Sequence, residues 1–312
     1  MSTESVAIII PAYNAAPFIK EAIDSALSQA RKAAAVIVVD DGSTDETAEI
    51  CRGYGDAITY VHQENAGVSA ARNRGASLAT AEWLLFLDAD DRLLGGALEN
   101  LVKASREGAP GVVYGQTIYF DNKTKRHRIH ANPRAAGPPP AGTAGNFWKS
   151  AITSPGAALI RATLLKEIGG FDVQMNSLAD RQLWIKAGVL APFNYADVSV
   201  LEKREHAGNM SGNLDRALYQ AALVQFDFLD WAHARGIDTG FLRTSPDGII
   251  DNVLLKAMDT LSLKGATDIV ALADERGIDT KLLPAGRRFA QMKPGKARFL
   301  LRLQNLTRRF RR

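Results

Sequence analysis

Short apolar runs alternate with amphipathic stretches over the first 120 residues, and this rhythm sets the fold expectation before any chemistry enters. Val6 to Ile10, Val36 to Val39, Ile58 to Val61, Trp83 to Leu87 and Val112 to Phe120 read as strands, each a largely β-branched or apolar run of strand length. Between the first two, Ile19, Ile23, Ala26 and Leu27 keep helical spacing. Strands alternating with helices predict an α/β fold, with a mostly parallel sheet covered by helices on both faces in the Rossmann-like manner. Continuous apolar strands agree, because such a sheet is buried on both sides.

The stretch Asp121 to Asn146 breaks the rhythm with basic residues, Gly137, Pro138, Pro139, Pro140 and Gly142, and reads as a long loop. Order returns at Gly156 to Ile160. A helix follows from about Thr163 to Ile168, closed by Gly169 and Gly170, and another from about Ala179 to Ala187. After Asn213 the texture becomes helical without strands, from Leu214 to Ala234 and from Asp247 to Leu263. The expected organisation is a domain over 1–213 and a helical C-terminal extension over 214–312, with no internal repeat.

Composition adds bounds. With 46% hydrophobic and 23% charged residues, the chain is ordinary globular material. The apolar run Val6 to Ile10 stops at Pro11, far short of a secretory or membrane-spanning segment, so a cytoplasmic location is expected. The single cysteine, Cys51, makes no internal disulfide, and a reducing compartment is compatible.

The net charge of +4 conceals a split. Residues 281–312 hold eleven of the 38 Lys/Arg and none of the 34 Asp/Glu, which leaves residues 1–280 at −7. Within that end, much of the set Phe299, Leu300, Leu301, Leu303, Leu306 and Phe310 can share one helical face. A basic amphipathic tail of this kind suits the anionic inner face of a membrane. Packing on its own domain, an oligomer contact and nucleic acid are the competing partners, nucleic acid the least favoured.

Ligands of an open parallel sheet collect beyond the carboxyl ends of its strands, so the polar residues there carry the candidate chemistry. After the first strand stands Pro11-Ala12-Tyr13-Asn14, either a turn into the next helix or a flat tyrosine face for a base. The second strand ends in Asp40-Asp41-Gly42-Ser43-Thr44-Asp45. Ser43 or Asp45 can cap the next helix, Ser43 with Glu46 fits a capping box, and a carboxylate such as Asp41 can accept an imide hydrogen. Beyond the third strand, Asn65-Ala66-Gly67 leads to Arg72, Asn73 and Arg74, which either steer a diphosphate or sit on a helix surface. The fourth strand delivers Asp88-Ala89-Asp90-Asp91. Alternation along an extended segment would point Asp88 and Asp90 the same way, and carboxylates so crowded favour a hard cation, Mn²⁺ or Mg²⁺, over a bare acidic turn.

The ordered set Pro11-Ala12-Tyr13-Asn14, Asp40-Asp41-Gly42-Ser43, Asn65-Ala66-Gly67 with Ala71-Arg72-Asn73, and Asp88-Ala89-Asp90-Asp91 closely resembles glycosyltransferase family 2, whose members have the GT-A fold. The resemblance covers roughly residues 5–212. It implies an inverting transfer of a sugar from a nucleotide-diphosphate donor, a UDP-sugar foremost, to a hydroxyl of a glycan or lipid-linked acceptor in cell-surface polysaccharide synthesis. Donor contacts would fall on Pro11, Tyr13, Asn14, Asp41, Asn65, Gly67, Arg72 and Asp88. Asp88 and Asp90 would hold the metal, as a DxD pair. The catalytic base falls on Asp180, in Leu178-Ala179-Asp180-Arg181, where Ala179 replaces the family's usual Glu. A helix cap is the plainer reading of Asp180. Lys203-Arg204-Glu205-His206 is similar to the family's closing basic loop, with His206 a candidate metal or phosphate contact.

Rival classes fit less well. A nicotinamide oxidoreductase needs G-x-G-x-x-G after the first strand, where Pro11-Ala12-Tyr13-Asn14 stands. A nucleotidyltransferase would show a glycine-rich basic loop there. A noncatalytic sugar-nucleotide binder or scaffold of the same fold is the alternative that Ala179 keeps open.

Overall fold

The computed structural model describes residues 4–121, 123–130, 132, 134, 152, 154–175, 178–206, 214–242, 244–260 and 262–293. The chain divides into two compact units, Met1–Asn209 and Met210–Arg312.

The first unit is built on one sheet. Its strands are β1 (Val6–Ala12), β2 (Ala35–Asp41), β3 (Thr59–Gln63), β4 (Trp83–Phe86), β5 (Arg92–Leu93), β6 (Val112–Asp121), β7 (His127–His130), β8 (Ala158–Arg161) and β9 (Phe193–Glu205). They lie in the order β3-β2-β1-β4-β8-β6-β9-β5, with β7 added on β6. The first four run parallel. Beyond them the sheet is mixed: β8 is antiparallel to both β4 and β6, β9 is parallel to β6, and β5 is antiparallel to β9. The described helices are α1 (Ile19–Leu27), α2 (Thr47–Arg52), α3 (Val68–Leu78), α4 (Ala97–Ala104), α5 (Ala162–Ile168) and α6 (Ala179–Leu190).

The parallel half follows from the apolar runs. Every residue of β1 and β4 is buried, and α1 buries Ile19, Ala22, Ile23 and Ala26, the i, i+3, i+4, i+7 stripe of a helix seated on a sheet. Pro11 does not stop β1, because the amide it lacks is tolerated near a strand end, and the strand runs on to Ala12. Cys51 lies buried on α2, and burial foremost pushes its thiol up to about 11.

The second half departs from the expectation in two places. Within the presumed loop after Asp121, His127–His130 forms β7, antiparallel to Thr117–Phe120. The basic composition concealed it, since its first three residues are exposed on the last strand of that branch. The run Lys203-Arg204-Glu205 is the end of β9 rather than a loop, and only His206 lies beyond it. The pairing of β9 with β6 shifts register between Tyr114 and Gln116 and again before Thr117, so β9 has no continuous alternation to read. Gly115 permits the irregularity: a Cβ there would stand 2.7 Å from the Val198 carbonyl oxygen.

The second unit contains α7 (Leu214–His233), α8 (Pro246–Asp259), α9 (Leu263–Glu275) and α10 (Leu283–Ala290). The single helix expected over Asp247–Leu263 is two. The chain breaks at Thr260, and Ser262 restarts it by accepting the Gly265 N–H at 3.0 Å. Ile249, Ile250, Leu254, Ile269 and Phe289 are among its buried residues. The apolar set of the basic tail, Phe299 to Phe310, lies outside the described residues. Among the described residues no helix is long and apolar enough to cross a membrane.

Candidate active site

Two loops meet beyond β1 and β2. Tyr13 is 53% exposed, whereas Pro11 beside it is buried. Asn14 takes a left-handed φ of +47°. Its N–H donates to Ser43 Oγ at 2.9 Å and its Oδ1 accepts from the Thr44 N–H at 2.8 Å, so its side chain ties the loops together. The capping box does not form: Ser43 faces Asn14, and Asp45 Oδ1 takes the Thr47 N–H at the start of α2.

Asp40 and Asp41 divide the work at the end of β2. Asp40 is fully buried and accepts from the Ser43 N–H and the Tyr60 hydroxyl, with His62 Nδ1 at 3.2 Å. Burial opposes its ionisation, yet these hydrogen bonds outweigh it and hold its carboxyl below the usual range. Asp41 accepts from Gln63 Nε2 and the Ala66 N–H on Oδ1, and from the Gly67 N–H on Oδ2. It therefore braces the Asn65–Gly67 turn, leaving room at one oxygen for a further donor. Asn65 is exposed, and Gly67, with φ +90°, opens α3.

Arg72 on α3 is buried and donates from Nη2 to Asp88 Oδ1 at 2.6 Å, its guanidinium lying 5.1 Å from the Phe171 ring centroid. Its Nε is buried with no hydrogen-bond partner among the described residues, and so is Ser69 Oγ, three positions earlier on the same helix face.

The acidic segment after β4 is a turn, not an extended strand. The Asp91 N–H donates to the Asp88 carbonyl at 3.0 Å, so the alternation argument does not hold. Asp91 is the most buried of the three, its side chain 1% exposed against 22% for Asp88 and 29% for Asp90. The Arg204 N–H donates to Asp91 Oδ1, and Ser154 Oγ stands 3.4 Å from Asp88 and 3.3 Å from Asp91. Burial pushes Asp91 up to about 8, Lys203 opposes, and the Asp88 and Asp90 charges add to the rise. At Asp88 burial is overcome by the Arg72 and Lys203 charges, and the carboxyl is held below its usual value.

Asp180 is the second residue of α6. The helix starts from Leu178, which sits at φ +60°, a conformation unfavourable for a leucine. The Asp180 carboxylate accepts from the Arg181 N–H at 2.8 Å. Burial raises its pKa against the Arg72 charge, and the Asp88 charge adds to the rise, which places Asp180 within electrical reach of the acidic turn. Ala179 beside it is buried and supplies no carboxylate. The approach to α6 is fixed from α3: Asn73 Nδ2 donates to the Phe171 carbonyl at 2.7 Å, and its Oδ1 accepts from the Phe171 N–H at 2.9 Å. Gly170, at φ +80°, makes room, since a Cβ there would meet Asn73 Oδ1 at 2.7 Å.

Lys203, named in the sequence without a role, is the electrostatic centre of the site. Its Nζ lies 4.0 Å from Asp91 Oδ2. Burial disfavours its charge, but Asp91, Asp88, Asp90 and Asp180 together hold it above its usual pKa. His206 Nε2 lies 3.0 Å from Asp90 Oδ2, and its ring stacks on Phe18 at 4.8 Å. Ser154 carried no sequence signal, because its relation to the turn is purely tertiary.

Among the described residues no three His, Cys, Asp or Glu side chains form a ready-made cation cage. The donor set nevertheless fits a hard divalent ion. Mg²⁺ is commonly held by one or two carboxylates plus substrate phosphates, and here Asp88 and Asp90 are the less buried carboxylates of the turn, with Asp91 beneath them.

Residues 7–169, just over half the chain, match the family model described as Glycosyl transferase family 2. The chain belongs to that family. An uncharacterized glycosyltransferase of Rickettsia felis is 31% identical over 229 residues, covering 72% of this chain and 38% of that protein. Glycosyltransferase GlyA of Streptococcus pneumoniae is 32% identical over 130 residues, 41% of this chain and 19% of that one. The chain thus spans well under two thirds of these curated relatives. The crystal structure of S. aureus TarS 1–349 in complex with UDP-GlcNAc aligns with a TM-score of 0.61 at 19% identity, covering 97% of this chain and 92% of that one. The likeness concerns the fold, a GT-A, Rossmann-like sheet flanked by helices.

Proposed function

We propose that this family 2 chain is an inverting, metal-dependent glycosyltransferase that moves a sugar from a UDP-sugar to a hydroxyl of a glycan or lipid-linked acceptor. The observation that carries the reading is the acidic turn with Lys203 4.0 Å from Asp91 and Arg72 on Asp88, and with Asp180 within electrical reach of it, brought together from segments far apart in the chain. UDP is favoured over other nucleotides by the two TarS complexes, one with UDP and one with UDP-GlcNAc.

In this reading Tyr13 offers its exposed ring to the base, and Asp41 accepts from it beside the turn it braces. Arg72, on Asp88, brings its positive charge to the diphosphate. Asp88 and Asp90, with His206 beside Asp90, would hold Mn²⁺ or Mg²⁺, which when bound supplies Lewis-acid neutralisation of the diphosphate. Asp180 takes the proton of the acceptor hydroxyl as its oxygen bonds to the anomeric carbon. The bond from that carbon to the diphosphate breaks, and its electron pair leaves on the diphosphate oxygen. Lys203 and Arg72 are placed to offset that negative charge.

The cytoplasmic face of a membrane suits such a chain, since residues 281–312 bring eleven positive charges and no negative ones. Cell-surface polysaccharide synthesis would follow from an acceptor presented there.

The test is calorimetry of UDP binding with and without Mn²⁺, joined to a transfer assay over a panel of nucleotide sugars. Metal-dependent UDP binding with transfer from one donor supports the reading. Binding without any transfer or donor hydrolysis would favour the noncatalytic binder, and no binding would remove the UDP donor.

A further inference from the structure

Arg204 joins the acidic turn to a helix on the other side of it in sequence. It comes from β9 and is 7% exposed. Its backbone N–H donates to Asp91 Oδ1 at 3.0 Å, and its Nε donates to the Asp90 carbonyl at 3.2 Å. Its Nη2 reaches Glu21 Oε2, on α1, at 2.7 Å, while its guanidinium lies 5.2 Å from the Phe18 ring centroid and 5.8 Å from that of Phe120. Glu21 is shared, since Oε2 also accepts from Arg92 Nη1 at 2.9 Å. Arg92 is in turn bound to Glu202, two residues before Arg204 on β9.

We infer that Glu21 is a positioning residue for the donor site, acting through Arg204 on the peptide between Asp90 and Asp91. An arginine fork held at one end by a carboxylate has a fixed plane. Its other end therefore fixes the Asp90 carbonyl, and with it the directions in which Asp90 and Asp91 present their oxygens. Glu21 touches no substrate in this arrangement. It sets the turn that does, and so the inference rests on the donor reading proposed above. Phe18, just before α1, lies under the Arg204 guanidinium and stacks on the His206 ring, so the start of α1 supports both neighbours of Asp90.

The test uses the full chain carrying Glu21→Gln, a change at a side chain 44% exposed, compared with Arg92→Met, which removes the shared carboxylate's other partner and leaves the groups by which Arg204 holds Asp90 and Asp91 in place. Hydrogen exchange of the ligand-free protein reads the clamp alone. Amides of residues 88–92 and 203–205 should lose roughly tenfold protection in Glu21→Gln, the scale of one charge-assisted hydrogen bond. Calorimetry reads the consequence: affinity for UDP with Mn²⁺ should fall by about the same factor in Glu21→Gln and stay near wild type in Arg92→Met. Donor KM should rise while kcat changes little. Unchanged exchange, unchanged UDP affinity, or an equal loss in Arg92→Met each overturns the inference. A wild-type chain that binds no UDP removes the donor reading, and the positioning role with it, while altered exchange would still establish the clamp.

Discussion

Asn73 and Phe171 are joined twice, the Asn73 carboxamide donating to the Phe171 carbonyl and accepting from the Phe171 N–H, as a neighbouring strand would. The pair fixes α3, which carries Arg72, against the segment that leads into α6 and Asp180. Asn73→Ala removes both bonds and leaves two backbone groups unpaired, at a cost of about 2–4 kcal/mol. The midpoint of thermal unfolding should drop by roughly 2–4 °C for each kcal/mol, measured by scanning calorimetry. Unchanged melting would mean that water replaces the carboxamide without penalty.

Asp180→Asn should keep UDP and Mn²⁺ affinity and lose roughly 10²–10⁴-fold in transfer rate, the usual contribution of a general base. Calorimetry and a transfer assay on the same preparation separate the two effects. Transfer at wild-type rate would exclude Asp180 as the base.

The acidic limb of the pH–rate profile carries the same assignment. A base works only when ionised, and burial raises the Asp180 pKa, so the rate should climb with pH through a value above the ordinary aspartate pKa of about 3.9. A limb at or below that ordinary value contradicts the buried base.

Asp90→Ala takes away one carboxylate and a partner of His206. Metal-dependent UDP binding should vanish in it, whereas the affinity measured without Mn²⁺ should stay near wild type. Calorimetry with retained Mn²⁺ enhancement would move the metal elsewhere.

For the basic end, the place to cut is after Lys293. A cut after Leu283 would remove Phe289, which is buried in the second unit. Removing residues 294–312 takes away seven Lys/Arg and should reduce sedimentation with anionic vesicles while donor hydrolysis persists. Equal vesicle binding by the shortened chain would end the membrane proposal.

The parallel half of the sheet was legible because β1, β2 and β4 are buried on both faces and read as apolar runs, Ile8 to Ile10 and Val36 to Val39 above all. In the other half β6 was legible as Val112 to Phe120 and order was expected again at Gly156 to Ile160, but β7 and β9 beside β6 were not seen. β7 is basic and exposed, and β9 changes register against β6, so neither shows a clean period. The acidic turn was found by composition, but its geometry was misread, since Asp91 folds back on Asp88. Lys203, Ser154 and Glu21 owe their places to partners 63 to 183 residues away, and no local pattern encodes such a meeting.

Asp88 meets Arg72 within 16 residues of chain, whereas Asp91 waits 113 residues for the Arg204 amide. A ribosome therefore releases the acidic turn long before the strand that shields it. Until β9 emerges, the nascent chain holds the crowded carboxylates with Arg72 beside Asp88 but without Lys203, and burial of the turn is opposed. Burial of the turn and closure of the sheet become one late event in synthesis, and a fragment ending short of Lys203 lacks the strand that completes both.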